Sequence, residues 1–373
     1  MLIGDSKMNA IQAKLTKIGE RFRLKGKFYA YSVLANGNIN TTYSVKYRRF
    51  DGTVKSYVIQ RINGYVFKNP AEIMENIEGV TEHIRSKVPK GKITLRFHHT
   101  EDGKNYCQDE DGHYWRVMND VDSVTFNVCN DMDILRNAGK AFGEFQMQLS
   151  DYNAENLHVT IPDFHNTKKR LEKFFEDVEA DPCGRVAEVM PEIDSIRSMR
   201  RFASKLTELQ ESGKVPLRVT HNDTKINNVL FDKKTGEPLV VIDLDTVMPG
   251  LAMHDFGDAI RFAANTAAED EPDLTKVSLD LGKFKAFSEG FISQTAGALT
   301  DLEIGTMALG ALTITIELAS RFLDDYITGD KYFKTNYEGH NLVRARCQLK
   351  LAEDMWDKYE QMEQIVSSIA YKK

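Results

Sequence analysis

The sequence predicts an α+β chain in two lobes: a small β-rich lobe over residues 1–118 and a larger, mostly helical lobe over 124–373. Three observations carry that expectation. Aromatic and β-branched runs separated by turn signals fill residues 28–62. From Met132 onward, apolar residues recur at helical spacing. Between the two regimes lies a short polar link, Asn119-Asp120-Val121-Asp122-Ser123, read as a hinge over 119–123.

Each element follows from local pattern. Residues 9–22 place Ile11, Leu15, Ile18 and Phe22 on one helical face. Residues 28–34 read as a strand, Asn36-Gly37-Asn38 as a hairpin-type turn, and 41–47 as the returning strand. Asp51-Gly52 marks the next turn and 56–62 the third strand. Pro70 suits the first turn of a helix over 71–88, with Ile73, Ile77, Val80 and Ile84 on its apolar face. Strands over 93–98 and 113–118 complete a sheet of about five strands with one helix. Helices are expected over 134–149, 168–179 and 193–211. A β interruption follows over 217–245, then helices over 281–291, 302–326 and 341–367. No fixed-period repeat or low-complexity tract is present.

Composition bounds the function. Of 373 residues, 42% are hydrophobic and 28% charged, which is enough for a core and excludes wholesale disorder. Lys and Arg number 49 against 55 Asp and Glu, a net −6, so nonspecific nucleic-acid binding is disfavoured and no nucleic-acid partner is expected. The most apolar stretch, 304–316, holds 13 uncharged residues. A membrane span needs about 20, so it reads as a core helix and no membrane partner is expected. With no long apolar run near the N-terminus, a cytoplasmic monomer is the expectation. Cys107, Cys129, Cys183 and Cys347 are widely spaced and are read as buried, reduced thiols. His98, His99 and His113 have no acid or thiol at metal-ligand spacing, so no zinc site is expected.

Chemistry concentrates in residues 215–245. Apolar strands there end in polar residues. His221-Asn222-Asp223 follows one strand, and 228–231 and 239–242 flank the turn Asp232-Lys233-Lys234-Thr235-Gly236. Pairing of those two strands brings Asn228 close to Asp243. Phosphoryl transfer needs this inventory. Its transition state is loose, so catalysis rests on positioning and charge neutralisation. One carboxylate orients the attacking hydroxyl and takes its proton. An Asn and a second carboxylate give magnesium the hard oxygens it prefers. A cation faces the transferred phosphate.

His221, Asp223 and Asn228 meet the spacing H-x-D-x-x-x-x-N, and Asp243 in Ile242-Asp243-Leu244-Asp245 meets the later metal acid. In these residues the chain resembles the protein-kinase-like fold, and within it the aminoglycoside phosphotransferase superfamily of small-molecule kinases. Further stretches are similar to the N-acetylhexosamine 1-kinase family of that superfamily. They are Asn38-Ile-Asn-Thr-Thr-Tyr43, Leu217-Arg-Val-Thr-His-Asn-Asp-Thr-Lys225, Met248-Pro-Gly250, Asp255-Phe-Gly-Asp258, Ile260-Arg-Phe262 and His340-Asn-Leu-Val-Arg344. The similarity runs from about residue 15 to 365. It implies a bilobal fold that holds ATP and Mg2+ between its lobes and phosphorylates the anomeric hydroxyl of N-acetylglucosamine or N-acetylgalactosamine.

Residue by residue, the resemblance implies that Asp223 is the catalytic base and Lys225 the γ-phosphate contact. Asn228 and Asp243 become the magnesium ligands. Asp245 lies two residues beyond; on a strand it shares a side with Asp243 and reaches the metal shell or the sugar. Asn38, Thr41 and Thr42 are expected at the nucleotide, with Met118 and Asp120 at a hinge whose 118–121 backbone meets adenine. Gln60, with Arg61 beside it, stands where the family's strand lysine is expected, and Glu78 resembles that lysine's partner acid. Asp258 and Arg261 share a helix face, either as a brace for the catalytic loop or as sugar contacts. Arg344 and Arg346 either line the acceptor pocket or form a basic surface. Two rivals stay open: another small-molecule kinase, for a hexose, amino alcohol or aminoglycoside, and a nucleotide-binding pseudokinase.

Overall fold

A computed structural model describes residues 2–34, 39–295 and 297–371, with side chains of the first helix described from Ala10. Tight contacts divide the chain into two units: residues 1–122 with 157–160, and residues 123–156 with 161–373.

The first unit is an antiparallel five-stranded sheet flanked by two helices. Helix α1 (Leu2–Arg21) precedes β1 (Lys27–Leu34), β2 (Thr41–Arg48) and β3 (Val54–Ile62). Helix α2 (Pro70–Lys87) follows, then β4 (Cys107–Gln108) and β5 (Tyr114–Asn119), in the order β1-β2-β3-β5-β4. Side chains alternate across a strand. Tyr43, Val45, Tyr47, Tyr57, Ile59, Trp115 and Val117 therefore share one face, and Leu15, Ile18 and Phe22 of α1 close over them as a buried cluster. The opposite face carries Thr42, Gln60 and Arg116, and α2 lays Met74 against it. Asn76 of α2 exchanges hydrogen bonds with His158 of the returning segment (2.9 and 2.8 Å).

Three expectations fail, two of them in this unit. Residues 93–98 form no strand. Beside β5 they make one bridge, Phe97 with Met118, flanked by the bonds His98 N to Val117 O (2.8 Å) and Asn119 N to Arg96 O (3.2 Å). The histidines do find acids. His99 Nε2 lies 2.8 Å from Glu78, and the turn over 109–113 gathers Asp109, Asp111 and His113 within 4.8 Å of one another. Sequence spacing missed the group because the turn folds it together; Lys14 Nζ bridges it, 3.1 Å from Asp109 and in contact with Asp111. Finally, the cysteines are free, but Cys183, in the second unit, is exposed.

The second unit is helical around two small β pairs. Its helices are α3 (Met132–Gln148), α4 (Thr167–Ala180), α5 (Met190–Ala203), α6 (Lys205–Glu211), α7 (Ala252–Ala263), α8 (Leu281–Thr295), α9 (Asp301–Gly305), α10 (Met307–Ile327), α11 (His340–Asp357) and α12 (Tyr359–Ala370). Strands β6 (Arg218–Thr220) and β9 (Met248–Gly250) form one pair; β7 (Val229–Phe231) and β8 (Pro238–Val241) form the other. Three stretches that read as single helices are broken, at Ser204, Thr306 and Lys358. At the last break Lys358 Nζ reaches out of the helix to Leu279 O (2.9 Å). Periodicity continues across such breaks because both halves bury the same stripe.

Helices α3 and α8 pack through glycines. A methyl group on Gly139 would stand 2.2 Å from Phe287 O, and one on Gly290 would stand 1.9 Å from Arg136 O. The backbones touch where any side chain would hold them apart. Gly139→Val is therefore expected to destabilise the protein by about 3 kcal/mol, the upper end of core overpacking, read as a lower urea midpoint at constant slope. An unchanged midpoint would show that the helices can separate without loss.

Candidate active site

Strand β6 delivers the chain into the loop His221-Asn222-Asp223-Thr224-Lys225, and α7 holds that loop from beneath. The Asp255 carboxylate accepts the backbone N–H of His221 (2.8 Å) and of Asn222 (2.7 Å), and also Gln146 Nε2 (2.8 Å). Asp258 accepts the Thr224 N–H (2.9 Å), and Thr224 Oγ1 donates to Asp255 O. Asp255 is buried, and burial pushes its pKa up; the N–H groups aimed at it pull the other way. Helix α7 is itself pressed onto α10, because Gly257 and Gly310 let the two backbones meet.

Asn222 is held in the left-handed region at φ 63°. Such a residue costs on the order of 1 kcal/mol and persists where its surroundings fix it. Here its Nδ2 donates to Thr246 O (2.9 Å), and Thr246 Oγ1 donates to His221 O (2.7 Å). The His221 ring lies between the buried Phe142 and Phe145. Its Nε2 donates to Ile242 O (2.9 Å) and its Nδ1 accepts from Asp223 N (3.3 Å). Both ring nitrogens are thus engaged with backbone, which makes His221 a positioning residue.

Asp223 and Lys225 project together, with Oδ1 and Nζ 2.9 Å apart. Burial alone would raise the Asp223 pKa; the Lys225 ammonium outweighs it and holds the carboxyl below its ordinary range. The Asp223 carboxylate raises Lys225 in turn, assisted by Glu269 and Asp258 against the effect of burial. Asn228 follows in a tight turn. Its Nδ2 donates to Asp223 O (2.8 Å) and lies 3.3 Å from Asp223 Oδ2, which leaves the amide oxygen as the end available to a metal.

The β7–β8 ladder pairs Val229 with Val241, and Ile242 N donates to Asn228 O (2.9 Å). Asn228 and the residue after Ile242 thereby become neighbours. The stretch is not strand-like beyond Val241. Asp243 turns into the left-handed region at φ 62°, and 244–246 form a 3-10 turn in which Asp245 is buried. Period-two alternation therefore does not place Asp245 on the same side as Asp243. A donor set of one amide oxygen and one carboxylate, on a strained and well-bonded turn, suits a hard cation such as magnesium.

The remaining expected residues fall into local arrangements. In the first unit, Asn38 lies outside the described residues. Thr41 pairs with Arg61, whose Nη2 is 3.4 Å from Thr41 Oγ1; Thr42 pairs with Gln60, whose Nε2 donates to Thr42 Oγ1 (2.9 Å). Glu78 is engaged by His99 Nε2 and by Asn105 Nδ2, not by a cation on β3. Met118 pairs with Val58, and the Asn119 N–H, within the expected adenine-contacting stretch, is already given to Arg96 O (3.2 Å). Asp120 Oδ2 lies 3.4 Å from Ser44 Oγ. In the second unit, Arg261 donates twice to Asp258 Oδ1 (3.0 and 2.9 Å) and once to Glu269 (2.6 Å). Both Asp258 and Arg261 are buried, so they brace the loop. Arg344 bonds Lys334 O and Asn341 Oδ1 (3.1 Å each), while Arg346 turns away to Glu192 (2.6 Å).

Pattern reading missed a chain of groups leading from the loop. His165 Nε2 lies 3.3 Å from Asn222 O, and its Nδ1 is 2.9 Å from the wholly buried Glu317. Glu317 also accepts Thr167 Oγ1 (2.6 Å) and faces Arg321 at 3.8 Å. These residues stand far apart in sequence and form no motif. Burial would raise the Glu317 pKa, but His165, Arg321 and Thr167 bring it down from 4.5 to about 2. Ionised Glu317 therefore stabilises the fold above about pH 4.5, and that contribution is lost as pH falls toward 2. Glu317→Gln is expected to cost roughly 3 kcal/mol at pH 7, with the gap to wild type narrowing between pH 4.5 and 3 in urea titrations. A gap independent of pH would refute the ion pair.

Residues 31–283, about two-thirds of the chain, match the family model described as "Phosphotransferase enzyme family". Solved structures share the fold at low identity. A spectinomycin phosphotransferase in complex with ADP and spectinomycin is 13% identical, with TM-score 0.58 over 94% of this chain and 98% of that one. An aminoglycoside phosphotransferase from Alicyclobacillus acidocaldarius is 12% identical, TM-score 0.60, covering 94% and 96%. A microcompartment-associated aminopropanol kinase is 15% identical, TM-score 0.58, covering 94% and 99%. With the antiparallel sheet and helical unit described above, the matched region makes this chain a member of the phosphotransferase enzyme family.

Proposed function

We propose that the protein transfers the γ-phosphoryl group of ATP to the anomeric hydroxyl of N-acetylglucosamine or N-acetylgalactosamine, giving ADP and the hexosamine 1-phosphate. The observation that carries phosphoryl transfer is the Asp223–Lys225–Asn228 arrangement on a loop clamped by Asp255 and Asp258. Asp223 orients the sugar O1 and accepts its proton as the O1–P bond forms and the bond to ADP breaks. A carboxyl kept ionised by Lys225 is ready for that role at neutral pH. Lys225, two residues away, draws charge from the transferred group. Asn228 and Asp243 would hold magnesium, which neutralises phosphate charge when bound.

A cavity of about 210 Å³ in the second unit supports this acceptor class. One of its lining residues, Arg321, faces Glu317 at 3.8 Å; Glu317 meets His165, whose Nε2 lies 3.3 Å from Asn222 O in the loop. Arg170, Lys173, Arg321 and Lys331 line it, with the rings of Tyr332 and Phe333. Both of its acids are engaged by neighbouring groups, as Lys173 is by Asp177. Asp325 is consumed by the backbone N–H groups of 331–333, and burial together with Asp177 pushes Asp324 up to about 7. A cationic amino alcohol or aminoglycoside is disfavoured in such surroundings. An acetamido sugar carries no charge, stacks on aromatic rings and uses arginine donors.

Purified protein with Mg-ATP and N-acetylglucosamine is expected to yield a product whose phosphorus couples to the anomeric proton in NMR. Ethanolamine, aminopropanol and spectinomycin should give no more than background ADP release. Turnover of a cationic acceptor in preference to the sugar would overturn the acceptor assignment. Asp223→Ala should lower kcat by about 10³-fold or more, since positioning and base roles act together. A variant retaining a tenth of wild-type kcat would remove Asp223 from the chemistry.

A further inference from the structure

The peptide unit joining Asn222 to Asp223 is held at both ends by a histidine ring. Its N–H, on Asp223, is given to His221 Nδ1 (3.3 Å). Its carbonyl, on Asn222, meets His165 Nε2 (3.3 Å), which arrives from 57 residues away. Asp223 is carried on this peptide plane. Neither residue belongs to a strand, and Asn222 is already in the left-handed region at φ 63°. No strand pairing therefore resists a turn of the plane that would re-aim the Asp223 carboxylate.

His165 has little freedom of its own. Its side chain is 8% exposed, and its ring packs against Phe164 at 4.4 Å between centroids. Nδ1 lies 2.9 Å from Glu317 Oε1. Both partners, a carboxylate and a backbone carbonyl, only accept hydrogen bonds. A neutral imidazole has one N–H and one bare nitrogen, and the bare nitrogen would face an oxygen lone pair at one end or the other. The two contacts are bonds together only when each ring nitrogen carries hydrogen. The charged groups around the ring suit that form. Ionised Glu317 compensates it directly, and Arg321 lies beyond Glu317 at 3.8 Å. His254 of α7, its ring centroid 5.5 Å away, adds no charge, because burial pushes it down to about 3.

We propose that His165 is a positioning residue for the transfer step: donating from both ring nitrogens, it bridges Glu317 to the Asn222 carbonyl and fixes the peptide that aims the Asp223 carboxylate. The inference rests on the phosphotransfer reading above. It gives the carbonyl before Asp223 a donor, as Asp255 and Asp258 give the loop's N–H groups acceptors.

Two amides separate the ring's two bonds. Asparagine puts its NH2 group where Nδ1 stands, so His165→Asn keeps Glu317 and loses Asn222 O. Glutamine reaches the Nε2 position, so His165→Gln keeps Asn222 O and loses Glu317. With the full-length protein, Mg-ATP and N-acetylglucosamine, His165→Asn is expected to lower kcat about 10-fold or more, the scale of a misplaced reacting group, with KM for ATP changed less than about 2-fold. Its urea midpoint should stay close to that of wild type. His165→Gln should keep kcat to within about 3-fold of wild type while its urea midpoint falls. A merely structural pair would lower kcat and stability together, so a kcat that follows the urea midpoint in both variants would overturn the proposal. Undiminished kcat in His165→Asn would overturn it as well. Nitrogen-15 NMR of ring-labelled histidine, with His165 identified by its absence from the His165→Gln spectrum, should show hydrogen on both nitrogens. A bare nitrogen under the assay conditions would remove the bridge whatever the kinetics. Wild-type protein that turns over no acceptor would instead refute the phosphotransfer reading, and the ring spectrum would then decide the bridge by itself.

Discussion

The Asp255 carboxylate is the constraint on which the rest of the site depends. A loop that turns sharply enough to present Asp223, Lys225 and Asn228 cannot satisfy its own backbone. The N–H groups of His221 and Asn222 point inward, away from any ladder, and would be buried without partners. Asp255 takes both, Asp258 takes that of Thr224, and both acids sit on one helix. The left-handed Asn222 is the cost of the turn, and it is tolerated because Thr246 and Asp255 fix it from two sides. Once the loop is set, His221 spans to Ile242 O, and the β7–β8 ladder carries Asp243 to Asn228. The loop, the turn that carries Asp243, and α7 are therefore one hydrogen-bonded body.

Buried charge recurs in this protein, and each instance is resolved the same way. An isolated ion away from water is costly, and a pair is tolerated only when hydrogen bonds occupy its remaining valences. Glu317 is wholly buried and is met by His165, Thr167 and Arg321. Glu303, equally buried, receives Arg218 twice (2.5 and 2.7 Å) and closes the capping box of α9 with Thr300. Arg261 has Asp258 on one edge and Glu269 on another. Arg116 is handled differently: its Nε and Nη2 go to a neutral amide oxygen.

What the sequence made legible was local. Asp223, Lys225 and Asn228 lie within six positions, so their spacing alone carries their chemistry. The hairpin at 232–236 fixes the β7–β8 pairing, so the approach of Asn228 to Asp243 can be read without a fold. Strand alternation could be read for β2 and β3, where turns bound each run. Features set by the partner rather than the run were not legible. Residues 93–98 have strand character, but they meet β5 through only one bridge, near its end at Met118. Asp243 and Asp245 look like the end of a strand until the left-handed turn at Asp243 intervenes. His165, Glu317 and Arg116 carry no motif, because their partners arrive from more than fifty residues away.

The same distinction governs how far function can be read from such a chain. Phosphoryl transfer is encoded in a short loop because the chemistry demands a fixed set of oxygens and a cation within a few ångströms. Acceptor choice depends on surfaces assembled from several elements, so no short motif carries it. Asp325 is among the lining residues, and its carboxylate accepts the backbone N–H groups of 331–333. Asp324 is raised toward neutrality by burial and by its neighbour Asp177. The lining holds four cations and two acids, yet Lys173 is paired with Asp177 and Arg321 faces Glu317, so the field inside the cavity depends on how the fold pairs these groups and not on the residues alone.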